Sequence, residues 1–255
     1  MGVRFAQKEL EISLADNSDN GETLYDYNGK KAATVTLSGR TLYKDGTWNT
    51  LCLPFALTAE QVSAQLAPDE LMTLERSDLY QGTLTLNFVN ATNIEAGKPY
   101  IIKWNTQSTD YVENPEFTDV TISNSHNPVE TEFANFVGVF SPTDIYTEEK
   151  TYLYLGADNN LYYPWGDGMT SFKVNSCRAY FKLNNDLVAG APIDPASGIN
   201  NFVLNFGGES SIVNVPSSIF NLQSEGWYTL DGRKLSGVPT LKGIYINNGK
   251  KMVIK

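Results

Sequence analysis

Glycine preceded by asparagine or aspartate punctuates this chain at Asn20-Gly21, Asn28-Gly29, Asp45-Gly46, Asp167-Gly168, Asp231-Gly232 and Asn248-Gly249. Such pairs tolerate positive φ at little steric cost, which a tight reversal between two strands requires. Between them lie short apolar or alternating runs over residues 33–37, 83–89, 99–104, 117–123, 133–140, 151–155, 160–164 and 171–183. Leu84, Leu86 and Phe88 alternate strictly with polar residues, the pattern of a half-buried antiparallel strand. Many short strands joined by such turns predict an all-β chain, with an antiparallel β-sandwich or barrel-like main domain.

The run from Arg40 to Phe55, RTLYKDGTWNTLCLPF, is the most strand-like stretch. Asp45-Gly46 predicts a tight hairpin turn. Beyond it Trp48, Leu51, Cys52, Leu53 and Phe55 leave little polar surface, so the strand is expected to be covered on both faces. Pro54 cannot donate to a ladder, which places the strand at an edge or ends its pairing there. Thr58-Ala-Glu-Gln61 is a capping box, Val62 and Leu66 fall four apart, and Pro68 stops the element. This is the one short helix expected, and no chemistry is read from the run.

Residues 189–198 hold two prolines, small side chains and no periodicity, the composition of a linker. The division expected is a main β domain over 1–186, a linker over 187–200 and a small C-terminal antiparallel β domain over 201–255. In the last, residues 201–206 would join strands at 227–235 and 243–254, the latter folded at Asn248-Gly249. Charge supports a boundary. The chain carries a net −10, while residues 227–255 hold six basic residues against Asp231, a local +5, leaving −15 for the rest. The basic side chains are expected outward, free to meet an acidic surface.

Composition also excludes functions. Nucleic acid is disfavoured by the acidic balance, because a binder needs a basic face to displace counterions. No apolar run approaches the ~20 residues of a membrane-spanning helix. The only histidine, His126, lies in Asn124-Ser-His-Asn-Pro128, a loop by composition with no nucleophile motif around it. Gly207-Gly208-Glu-Ser-Ser lacks the spacing and lysine of a phosphate loop. Asp16-Asn-Ser-Asp-Asn-Gly21 begins like a calcium loop, but Tyr27 stands where the bidentate glutamate belongs. No catalytic residue, metal ligand or cofactor is therefore assigned. Glu113, Glu116, Asp119, Glu130, Glu132 and Asp144 are expected as solvated acids; a facing carboxylate pair about 5–9 Å apart remains the alternative. Cys52 and Cys177 are expected on strands as buried free thiols, with a disulfide as the alternative. The binding clue is aromatic. Tyr162, Tyr163 and Trp165 precede Gly166-Asp-Gly168, and Trp104 ends its strand before a polar loop. Such rings suit stacking on sugars or docking on protein, against the alternative of core packing.

RTLYKDGTWNTLCLPF, GKPYIIKW (97–104), YLGADNNLYYP (154–164) and CRAYFKL (177–183) resemble blocks that recur in order in secreted Bacteroidetes proteins of unknown function. YTLDGRKLSGVPTLKGIYINNGKKMVIK (228–255) resembles the C-terminal tail of surface proteins from these bacteria, including leucine-rich-repeat types, and more distantly type IX secretion sorting domains. The resemblance implies a secreted or cell-surface protein and carries over no catalytic or binding residue. No signal peptide is visible, and Met1-Gly2 reads as the start of a trimmed mature chain. The expectation is a non-catalytic extracellular β module serving adhesion or the binding of a glycan or surface protein. A carbohydrate-active hydrolase is the alternative. So is a C-terminal attachment or sorting module carrying a passenger domain.

Overall fold

Residues 9–105, 110–146, 150–156, 159–163, 171–190, 198–199, 201–207, 211–213, 227–229, 239, 243–247 and 250–254 are described by a computed structural model. The chain divides into two units, Met1–Val215 and Pro216–Lys255. In β1 (Glu11–Ala15) alternation turns Ile12 and Leu14 inward. The strand runs parallel to β2 (Lys31–Ser38), whose Val35 and Leu37 are likewise buried. Parallel neighbours need a long crossover, and α1 (Gly21–Asp26) fills it, burying Leu24. The stretch that begins like a calcium loop is thus the entry to a second helix. Asn20, buried, accepts from the Ala15 N–H and donates to the Ala15 and Phe140 carbonyls. Its side chain fixes the corner by replacing a backbone ladder.

The first unit continues with β3 (Thr41–Tyr43), β4 (Asn49–Cys52), α2 (Ala59–Gln65), β5 (Glu70–Tyr80), β6 (Thr83–Asn90), β7 (Pro99–Lys103), β8 (Tyr111–Glu113) and β9 (Glu116–Thr121). Then come β10 (Ala134–Val139), β11 (Thr143–Tyr146), β12 (Tyr152–Leu155), β13 (Leu161–Tyr162), β14 (Ser171–Val174) and β15 (Arg178–Leu183). β16 (Val188–Ala189), β17 (Gly198–Ile199), β18 (Asn201–Asn205) and β19 (Ser211–Val213) end it. At α2 the capping box is complete: the Gln61 N–H donates to Thr58 Oγ1, and the Thr58 N–H to Gln61 Oε1.

The fold is all-β, in several sheets, with no closed barrel among the described residues. The largest sheet has the order β19-β18-β6-β5-β7-β4, so β4, which ends at Cys52 two residues before Pro54, is an edge strand. β7 separates two cores: Tyr100 and Ile102 join one, Ile101 the other. The first core takes in the sheet β1-β2-β9 and both helices. In the second, the sheet β10-β15-β12-β13 lies against β6 and β18. Phe88 of β6 meets Phe136 and Phe181 edge-on at 6.3 Å, and those two rings stack at 4.5 Å. Fully burying one such ring contributes about 1.5–3 kcal/mol.

Three expectations change. Asp45-Gly46 is a turn but not a hairpin, because β3 pairs with β8 while β4 pairs with β7. Asn201–Asn205 finds both ladder partners in the first unit, β6 in parallel and β19 antiparallel, and the division falls at 215/216 and not over 187–200. Cys177 sits in the turn before β15 at φ 56°, not on a strand. Cys52 lies on β4, and both cysteines are buried free thiols.

In the second unit β20 (Trp227–Thr229), β21 (Gly243–Asn247) and β22 (Lys250–Ile254) form an antiparallel three-stranded sheet. Asn247 opposes Lys250, so β21 and β22 form the expected hairpin with a two-residue connection. The orientation of its basic side chains lies outside the described residues.

Candidate functional site

Eight of the eleven described residues that line a cleft of roughly 470 Å³ come from the Arg40–Thr50 run. The stretch read as a fold signature therefore carries the site. The loop from β3 to β4 is braced by its own side chains. Asp45 Oδ1 accepts from the Thr47 N–H and hydroxyl at 3.0 and 2.6 Å, an Asx turn that holds this exposed carboxyl below its usual range. Asn49 bridges the loop, accepting from the Tyr43 N–H at 3.0 Å and donating to the Tyr43 carbonyl at 2.9 Å. The Trp48 N–H donates to Asn159 Oδ1 at 2.6 Å. Its ring packs on Phe206 at 4.9 Å, with Lys103 Nζ 4.6 Å from its centroid.

Two arginines share the cleft. Arg178, first residue of β15, is half-buried and pairs with Asp16, which also accepts from Asn175. Arg40 is 3% exposed. Its Nη2 donates to the Thr50 carbonyl at 2.8 Å, and its Nε, also buried, meets no acceptor among the described residues. Burial pulls its pKa down to about 9, Arg178 adds to that, and Asp16 opposes it. Asp16 ion-pairs with Arg178, and its charge reaches Arg40 only at longer range.

Beside the cleft stands an aromatic pair that sequence reasoning missed. Tyr43 and Tyr111 oppose each other across β3 and β8 and are 54% and 55% exposed. A cross-strand pair shares one face of its ladder. The signal needed was the pairing of residues 41–43 with 111–113, which no local pattern contains.

The aromatic residues expected from sequence scatter. Trp104 is corrected: it is buried in the first core, and its Nε1 donates to the carbonyls of Leu66 and Ala67 at the end of α2. It is core and not a platform. Tyr162 is half-buried, stacks on Tyr154 at 5.6 Å, and covers Gly156 of the cleft wall, where an added Cβ would lie 2.7 Å from its ring. Tyr163 packs against the second core. Trp165 lies outside the described residues.

A smaller cleft of roughly 280 Å³ holds His126, exposed and tilted against the Phe140 ring at 4.3 Å, with Ser141 on the same wall. The Ser141 hydroxyl donates directly to Asp19 at 2.7 Å and accepts from the Asn20 N–H, so it acts as a brace for α1. No protein-family model, curated protein or solved structure matches this chain.

Proposed function

We propose that this chain is a non-catalytic extracellular or cell-surface β module that binds a saccharide ligand in the cleft of the Arg40–Thr50 run. One observation carries the reading: the exposed pair Tyr43 and Tyr111 stands beside a cleft with two arginines, on a loop fixed by Asp45 and Asn49. Flat rings beside convergent donors suit a sugar, whose apolar face stacks while its hydroxyls accept. A hydrolase reading gains no support at this cleft. Asp45 is the only carboxylate among its described lining residues, and Thr47 stabilises its ionised form. The extracellular setting rests on the sequence blocks that resemble secreted Bacteroidetes proteins. The separate unit Pro216–Lys255, which begins before the basic segment, favours a second role for that segment in attachment.

The test is a glycan array with the intact chain beside Tyr43→Ala and Tyr111→Ala variants. Binding by the wild type that falls in both variants is the expected result. Equal signals from all three, or none from the wild type, would remove the cleft as the binding site.

A further inference from the structure

We infer that the cleft selects acidic saccharides, those carrying one carboxylate or sulfate on the ring, with Arg40 and Arg178 receiving the anion and Tyr43 covering the sugar face. This rests on the saccharide reading above and names its ligand class. Three observations lead to it. Arg40 is almost wholly buried with an unpartnered Nε, and natural structures leave few buried donors unmet. Asp16 pairs with Arg178, and Arg40 has no carboxylate within ion-pair distance among the described residues, so the buried Arg40 guanidinium stays without an ionic partner while the ionised Asp45 is held on the exposed loop by Thr47. An anion in the cleft would offset that unpaired charge, through charge-assisted hydrogen bonds that are strongest out of water.

The remaining charge limits the size of the ligand. The chain carries −10 overall, a field that repels a polyanion while leaving one short-range contact favourable. A single acidic residue, at a chain end or isolated among neutral sugars, meets that condition. Long sulfated or uronate polymers do not. Uronate and sulfate ester present the same chemistry, oxygens able to take two parallel N–H donors from arginine.

Titration calorimetry on the intact chain decides it, using methyl glucuronide, glucose 6-sulfate, methyl glucoside and sodium sulfate at constant ionic strength. The expected result is binding of at least one acidic sugar about tenfold or more tighter than methyl glucoside. Which acid binds better separates carboxylate from sulfate ester. In Arg178→Gln the acidic sugar should fall to the level of the neutral one, with neutral binding unchanged, whereas Tyr43→Ala should weaken both. Equal affinity for neutral and acidic sugars would overturn this inference and leave the saccharide reading intact. Sodium sulfate binding as tightly as the sugars would make the cleft an anion site and overturn it too. No binding of any sugar would overturn both readings. The wild-type comparison needs no variant to fold, so a poorly folded Arg178→Gln protein would not rescue the inference.

Discussion

Replacing Arg40 by methionine should leave the protein at least as stable as before while removing its response to acidic ligands. Methionine keeps an unbranched, adaptable stem and discards the charge. In the folded chain burial, then Arg178, pulls Arg40 to about 9. At ~1.4 kcal/mol per pH unit, that gap from the ordinary arginine value corresponds to roughly 4–5 kcal/mol of penalty on the charged form, to order of magnitude. The substitution also removes the hydrogen bond to the Thr50 carbonyl, worth about 1.5–3 kcal/mol for a charged donor. The difference favours the variant by about 1–3 kcal/mol, within the range found when buried charges give way to apolar side chains. The pH dependence has a fixed sign. A base whose pKa is depressed on folding imposes its full cost below the folded value, here about 9, and that cost fades as pH rises toward the unfolded value. The advantage of Arg40→Met should therefore be greatest near pH 7 and shrink between about pH 9 and 10.5. Urea midpoints of the two proteins at an unchanged m-value measure it. A variant less stable than the wild type by 2 kcal/mol or more at about pH 7 would refute the reasoning: Arg40 would then be a satisfied brace with nothing to offer a ligand.

Other outcomes follow from packing and local hydrogen bonds. Tyr43→Ala and Tyr111→Ala should each change stability by no more than about 0.5 kcal/mol, since both rings stand in solvent; a larger loss in thermal melts would place them in the fold's support. Gly138→Ala should destabilise by about 1–3 kcal/mol, because its Cβ would overlap Cys52 Sγ; Cys52→Ala should recover part of the loss, and denaturant titration of the double mutant tests the coupling. Thr58→Ala should cost about 1 kcal/mol by removing the cap of α2, read from the same titration. Burial pushes the Cys52 thiol well above its usual range and Cys177 up to about 12, so neither should react with a disulfide reagent at neutral pH until the protein unfolds. Rapid native labelling would contradict that.

Signals confined to neighbouring residues were legible in the sequence. The capping box at Thr58 and Gln61 needs only a four-residue window, and the alternation of Leu84, Leu86 and Phe88 gave the buried face of β6. Asp45-Gly46 announced a reversal correctly but not what its flanking strands would pair with, because β8 and β7 are chosen by tertiary packing. Trp104 shows the same limit. A ring at a strand end before polar residues looks exposed until the C-terminus of α2, 37 and 38 residues away, supplies carbonyls for its indole. The cleft was illegible for the strongest form of this reason. Arg40 and Arg178 gain meaning only when β15 arrives beside β4, where the Cys52 N–H donates to the Cys177 carbonyl and the Ala179 N–H to Thr50 Oγ1.

The place of β18 beside β6 sets a timetable. Their side chains are joined by Asn205 donating to Asn87, 118 residues apart in the chain. At ~5–20 residues per second of synthesis, roughly 6–24 s separate the emergence of the two strands. During that interval β6 presents one bare row of backbone donors and acceptors, an edge open to any other extended chain. The closing contacts also enclose a long loop, whose entropy slows the final step however stable the product. A polypeptide ending near residue 200 would keep that edge permanently and should aggregate. One ending after Val213 closes it with β19, a strand of only three residues and a poor template for further growth.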